Sequence, residues 1–288
     1  MSKLNDETLL RIAEALERIS PPQSSFGDLN EADTFLWKST PDRLISIHQE
    51  SNITFDLLVG IEGAKDQVLK NTLHFAKGFV ANNVLLWGAR GTGKSSLVKS
   101  VHKMVAAEFR SLKLVEIQRD DLGSLDRLLS ILANIESDNR YIVFCDDLSF
   151  SGEDDEYKTL KILLEGGVVE KPSNIVFYST SNRKHLISRE MVENEKSSAI
   201  SPYESVEEKV SLSDRFGLVV GFYPCGQDQY LEMILLYRNA FNIPIEKEKM
   251  FRDAIEWQQT RGARSGRVAW QYIIDLAGRL RVPLKKKH

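Results

Sequence analysis

The sequence predicts an α/β fold, a parallel sheet with helices on both faces in three layers, followed by a small helical subdomain. Three observations predict it. Short apolar runs alternate with helically spaced segments from about residue 83 to residue 222. A glycine-rich turn joins the first of these runs to a helical pattern. Beyond Pro224-Cys225-Gly226 the apolar runs stop while helical spacing continues. Such alternation is the pattern of parallel strands linked by crossover helices.

In chain order, Leu9, Ile12, Leu16 and Ile19 share one face of a helix over 5–19, with Asn5 or Asp6 available as its cap. Ser20-Pro21-Pro22 ends that helix, and a polar linker runs to Asn30. Residues 31–50 fit no single element, although Phe35, Leu36 and Trp37 can anchor an arm onto the main body. The run Asn83–Trp87 is almost wholly apolar, as a strand covered on both faces should be. A helix starts near Lys94 on Leu97, Val98, Val101 and Val105. Strands follow at 112–117, 141–145, 174–182 and 217–222, with helices near 124–135 and 157–164. Helical periodicity then covers 228–241, 246–260 and 267–281, and the terminal Lys-Lys-Lys-His reads as a solvated tail. The expected organisation is an N-terminal helix and arm (1–50), an αβα core (51–224) and a helical lid (225–288).

Composition narrows the function. With 288 residues and 42% hydrophobic content, the chain can bury a sizeable core. A formal net charge of −3 gives no global field toward nucleic acid or an anionic membrane. Cys145 and Cys225 lack CxxC spacing and read as structural thiols rather than metal ligands or a disulfide. No apolar run approaches the about 20 residues that a membrane span needs, and no signal-peptide pattern opens the chain. The expectation is a cytoplasmic protein without membrane contact.

The turn itself reads Trp-Gly-Ala-Arg-Gly-Thr-Gly-Lys-Ser-Ser from Trp87 to Ser96. Gly88-x4-Gly93-Lys94-Ser95 is the full P-loop spacing, placed between an apolar strand and a periodic helix. Phosphate oxygens need several N–H donors converging on one point. Gly88, Gly91 and Gly93 allow the backbone to come close, with Ala89, Arg90 and Thr92 filling the loop between them. The helix that follows aims its amides and positive dipole end at the anion. Lys94 would reach the β- and γ-phosphates and Ser95 would offer its hydroxyl to Mg²⁺.

Four further positions complete the pattern. The strand 141–145 ends in Asp146 and Asp147: Asp146 is the expected Mg²⁺ partner through water, and Asp147 orients or deprotonates the attacking water, or serves as a helix cap. Asn182 closes the next strand, where it can meet the γ-phosphate or hold the water, although Ser-Asn is also a common turn. Arg215 precedes the last strand on the sheet's rim; it either reaches the site of an adjacent subunit or pairs with Asp214 or a glutamate of 204–208. Arg267 opens the last helical segment, where a cation couples the γ-phosphate to the lid, while Arg261 and Arg264 lie in a glycine-containing turn and are expected to be solvated.

Taken in order, P-loop, paired acids, strand-end asparagine, rim arginine and lid arginine resemble the AAA+ ATPases. Within that superfamily the chain is similar to a bacterial group catalogued as a domain of unknown function, through segments such as Leu57–Gly78, Asn82–Ser96, Phe144–Phe150, Thr180–Leu186, Ser211–Leu218 and Arg264–Ile273. The resemblance runs from about residue 35 to 281. It implies a five-stranded parallel sheet in the order 5-1-4-3-2, a C-terminal helical lid, and ATP binding and hydrolysis with Mg²⁺. It further implies that Leu57, Leu58, Val59 and Gly60 line the adenine pocket and that Ser96 adds a phosphate contact. One departure stands out: many of these proteins carry Asp-Glu where this chain has Asp146-Asp147, a base shorter by one methylene. The pair and the nearby Arg215-Phe216 also resemble bacterial replication initiators.

The expected function is an ATPase that couples nucleotide state to the remodelling of a protein partner, acting as a homo-oligomer. The competing reading is a nucleotide-gated adaptor or loader with slow hydrolysis, in which Lys99, Lys103, Arg110 and Lys113 offer a basic strip to nucleic acid. Interleaved aromatics for base stacking are sparse, which disfavours it. A small-molecule kinase has no use for a rim arginine or a lid. The long polar stretch from Arg183 to Val210 is expected to contact a subunit or substrate.

Overall fold

The structure, a computed structural model, describes residues 31–48, 53–135, 137–150, 172–184 and 212–284, with Arg11, Leu29, Leu160, Lys161, Leu164 and Leu186 beside them. Most of the expected helices at 5–19 and 157–164, the terminal tail, and most of the stretch 183–210 lie outside these residues.

Seven strands form one sheet: β1 (Thr34–Ser39), β2 (Asp42–Ser46), β3 (Val84–Gly88), β4 (Leu112–Ile117), β5 (Arg140–Cys145), β6 (Ile175–Ser181) and β7 (Leu218–Phe222). Their order is β2-β1-β4-β5-β6-β3-β7. Counted among themselves, β3 to β7 stand in the order 5-1-4-3-2, all parallel, as the resemblance implied. Their bounds fall within one residue of the expected runs.

Two further strands extend this five-stranded core. Residues 34–46, read as part of an arm, are an antiparallel hairpin that adds two strands beside β4. The physical reason is burial on one face. Phe35 and Trp37 alternate inward on β1 and are at most 1% exposed, in register with Val115 and Ile117 of β4. The Trp37 indole donates to Ser124 Oγ at 2.8 Å, and Ser124 donates to the Asp121 carbonyl at 2.6 Å. Asp121 in turn accepts from the Ser39 hydroxyl at 2.6 Å. A polar knot after β4 thus holds the hairpin where apolar contact alone would leave it free to slide.

Six α-helices are described: α1 (Glu62–Ala76), α2 (Lys94–Glu108), α3 (Leu125–Asn134), α4 (Gln227–Ala240), α5 (Lys247–Arg261) and α6 (Gly266–Leu280). Helices α1 and α2 cover one face of the sheet over Val68, Val98, Val101, Leu114 and Phe144. Helix α3 covers the other face, with Leu128 and Leu132 against Tyr141 and Phe177. Helices α4 to α6 bury a separate core of Tyr230, Ile234, Met250, Ala254, Tyr272 and Ile273. Ser265 starts α6 by accepting the Val268 amide at 3.3 Å, a cap of the ordinary hydroxyl kind. Among the described residues no helix is long and apolar enough to cross a membrane.

One buried titratable group carries a stability prediction. His102 on α2 is 2% exposed, and burial pushes its pKa down to about 4, only partly offset by the Leu112 carbonyl beside its ring. The unfolded chain therefore takes up this proton from about pH 6.5 downward, while the folded chain resists it until about pH 4. Stability from this group is complete above pH 6.5 and is lost as pH falls toward 4. Urea melts at pH 7 and pH 4.5 should show wild type losing about 2–3 kcal/mol more than His102→Gln.

Candidate functional site

The site forms where the carboxyl ends of β3, β5 and β6 meet the start of α6. After Gly88 the chain enters the loop that ends in α2. Gly91 has φ +77°, and a Cβ there would come within 3.0 Å of both Arg267 Cβ and Ser265 Oγ. Its carbonyl accepts the Arg267 amide at 3.2 Å, so loop and lid helix touch through backbone at this point. Gly93, with φ +97°, sets the left-handed step from which α2 starts. The first residues of α2, Lys94, Ser95 and Ser96, line one concave surface.

Lys94 is 7% exposed. Its ammonium donates to the carbonyls of Gly88 and Ala89, each at 2.8 Å, and to Asn182 Oδ1 at 3.2 Å. Burial lowers its pKa, while Asp147 and Asp146 draw it back up. Ser95 Oγ donates to Asp146 Oδ1 at 2.5 Å, linking helix start to strand end. Asn182 Nδ2 donates to Asp147, so its side chain bridges the lysine and the second acid. The parallel register explains the meeting: Cys145 pairs with Ser179, which sets Asp146 beside Thr180 just past the strand.

These groups line a cavity of about 610 Å³. Of the residues expected at a nucleotide site, Leu58, Arg90, Gly91, Thr92, Gly93, Lys94, Ser95, Ser96, Asp146, Asp147, Asn182 and Arg267 line it. Gly88 and Ala89 do not line it; their carbonyls hold Lys94. Leu57 and Val59 instead pack into the helical cluster of α4 to α6, and Gly60 sits against Gln229. Arg215 lies in the turn Ser213–Arg215 before β7, outside the lining. Arg261 stacks its guanidinium on Trp257 at 3.5 Å rather than standing solvated alone.

Sequence reasoning missed Ile53, Thr180, Tyr237 and Trp270, all of which line the cavity. Trp270 was within reach, because it follows Arg267 by three residues on α6 and therefore shares its face. Its ring meets Tyr237 edge-on at 5.5 Å, which gives the lid wall an aromatic surface.

The basic strip does not form as expected. Lys113 is 3% exposed and its ammonium is held by Asp33 at 2.9 Å. Lys99 pairs with Glu116 at 2.8 Å. Lys99, Lys103 and Arg110 do share a cavity of about 720 Å³, but Glu31, Asp33 and Glu116 line it as well, so its charge is balanced.

A family model described as "Protein of unknown function (DUF815)" matches residues 30–280. The chain belongs to the DUF815 family. This DUF815 chain is 25% identical over 166 residues to the ATP-dependent zinc metalloprotease FtsH of Leptotrichia buccalis; the match takes in 50% of this chain and 22% of that relative, so the chain spans about a fifth of the protease's length. Among solved structures it is similar to the Aeropyrum pernix Orc1 protein in complex with DNA, with a TM-score of 0.53 at 15% identity over 83% of this chain and 68% of that one. Domain III of the Thermotoga maritima replication initiation protein DnaA aligns at a TM-score of 0.46 and 16% identity, over 80% of this chain and 99% of that one. The Orc1 likeness is one of fold: DUF815 here has an AAA+-like mixed α/β architecture with a mostly parallel sheet and C-terminal helices.

Proposed function

We propose that this DUF815 chain binds ATP with Mg²⁺, hydrolyses it to ADP and phosphate, and uses the nucleotide state to remodel a protein partner. The observation that carries the reading is the convergence on one cavity of a glycine loop at a helix start, Lys94, Ser95 with Asp146, Asp147, Asn182 and Arg267. An apolar turn or a structural ion pair needs no such set.

The residues fit the cation. A hard divalent ion takes oxygen ligands and keeps several waters, and the Ser95 hydroxyl and Asp146 carboxylate lie side by side. No group of three or more His, Cys, Asp or Glu gathers among the described residues, which suits an ion held chiefly by phosphate and water. Ser95 and Asp146 would hold Mg²⁺, which would supply positive charge against the phosphate oxygens. The other steps belong to the chain. Lys94 exchanges its loop carbonyls for phosphate oxygens. Asp147 takes a proton from the attacking water as oxygen bonds to the γ-phosphorus and the bond to the β-phosphate breaks. Asn182, already joined to both groups, orients that water. Arg267 connects γ-phosphate charge to the lid through the same helix start that bonds Gly91. Leu58, Tyr237 and Trp270 supply the apolar wall for the base, a division of labour common in nucleotide clefts.

Arg215 stands outside its own chain's cavity, which supports a homo-oligomer in which it serves a neighbour. A second reading, a nucleotide-gated adaptor or loader with slow turnover, is favoured by one observation: the short Asp147 carboxylate is already engaged by Asn182. Phosphate release by purified chain tests the first reading. Mg²⁺-dependent release that EDTA and Lys94→Ala each abolish supports it, whereas tight ATP binding without release favours the second. The lid wall carries its own prediction: ATP should change tryptophan emission, and Trp270→Phe should remove most of that change while Trp37, Trp87 and Trp257 remain.

A further inference from the structure

We infer that Thr180 is a positioning residue that aims both acids of the site with one hydroxyl. This rests on the ATPase reading above and adds to it a role for a residue whose side chain that reading leaves unused.

Thr180 is the penultimate residue of β6, two residues before Asn182, and is 1% exposed. A hydroxyl has one hydrogen to give and two lone pairs to receive with. Thr180 Oγ1 gives its hydrogen to Asp146 Oδ1 at 2.5 Å and accepts the Asp147 amide at 2.9 Å. The Thr180 carbonyl also accepts the Leu148 amide at 2.7 Å. Three consecutive residues after β5 are therefore pinned by a single residue of the neighbouring strand.

The two side-chain bonds have different consequences. Asp146 Oδ1 also accepts from Ser95 Oγ at 2.5 Å, so this oxygen receives two hydrogen bonds and Oδ2 becomes the oxygen offered to a cation or its water. Asp147 adopts φ +55°, a conformation an aspartate visits but a chain rarely holds without support. The bond from its amide to Thr180 is that support, and it turns the second carboxylate toward Asn182 instead. One rotor thus separates the two tasks: the first acid toward the cation, the second toward the water. Because the only hydroxyl hydrogen goes to Asp146, the lone pair facing Asp147 is fixed at the same time.

The test compares wild type, Thr180→Val and Thr180→Ser. Valine keeps the volume and removes the hydroxyl; serine keeps the hydroxyl. Three quantities are read: affinity for a fluorescent ADP analogue in EDTA and in Mg²⁺, steady-state kcat and KM for ATP, and hydrogen exchange of the Asp147 amide in nucleotide-free protein. Affinity in EDTA should stay within about twofold in all three, because the phosphate cradle is untouched. The tightening that Mg²⁺ confers, and kcat, should each fall about 10–100-fold in Thr180→Val, the range for lost outer partners of a metal site. KM should move far less. Asp147 amide exchange should quicken in Thr180→Val and return toward wild type in Thr180→Ser, with kcat recovering alongside. Should Thr180→Val fail to fold, Thr180→Ala carries the same comparison. Folded Thr180→Val with wild-type Mg²⁺ dependence and kcat overturns the inference alone. So does a Thr180→Ser that behaves like the valine variant, since the methyl and not the hydroxyl would then matter. Wild-type chain that binds no nucleotide in either buffer overturns the ATPase reading itself, and the inference with it.

Discussion

Replacing Arg215 by alanine is expected to lower ATP turnover by about 10³–10⁵-fold, the range in which a guanidinium supplied to a phosphoryl-transfer site acts, while ATP binding is kept. Arg215 is fixed in the short turn Ser213–Arg215 ahead of β7, an edge strand of the sheet, and does not line the cavity that holds Lys94 and the acids. On the reading proposed above, a cation outside its own chain's cavity serves the cavity of an adjacent copy. Mixing Arg215→Ala with Lys94→Ala separates the two cases. Each variant alone should be inactive, and the mixture should recover part of the wild-type rate, because an intact cavity from one chain can receive the intact arginine of the other. No recovery in a mixture that still assembles would assign Arg215 a role inside its own chain.

The second large effect is expected from Asp147→Asn: kcat lower by about 10²–10⁴-fold, the contribution of a positioned general base, with ATP affinity little changed. Asparagine retains an oxygen that can accept from Asn182 Nδ2, so the local network survives. What it loses is the capacity to take a proton. The variant should therefore hold ATP without turning it over, and a pull-down on it should retain the partner that wild type releases. Equal kcat in Asp147→Asn and wild type would remove Asp147 from the proton path. The same result would strengthen the adaptor reading if turnover in both were negligible.

Much of the site was legible because its signals are local. Gly88 to Ser96 lies between a strand and a helix in the sequence itself, and the acid pair follows directly on an apolar run, so both elements announce where they end. Asn182 and Arg267 were legible for the same reason. The hairpin of β1 and β2 was not, because its stability comes from a parallel pairing with β4 and from Trp37 reaching Ser124, contacts between residues distant in sequence. Local polarity in Lys38-Ser39-Thr40-Pro41-Asp42 hides it. Leu57 and Val59 illustrate a different failure. In an irregular or extended stretch successive side chains point to opposite sides: Leu58 meets the cavity while its two neighbours meet the lid core. Grouping all four positions, Leu57 to Gly60, as base contacts ignored that alternation. The basic strip failed because formal charge says nothing of pairing, and Lys113 and Lys99 are both paired. Thr180 required knowing which strand neighbours β5, whereas Trp270 needed only the helical spacing from Arg267.

Everything proposed for this chain depends on a triphosphate seated at the loop ahead of Lys94, and calorimetric titration of wild type and Lys94→Ala with ATP and Mg²⁺ measures that directly. Wild type should bind saturably at one site per chain, and affinity should be weaker by about 10–100-fold in Lys94→Ala, as expected for a lost charge-assisted contact. Absence of saturable binding in wild type, or equal affinity in the two proteins, would contradict the proposal.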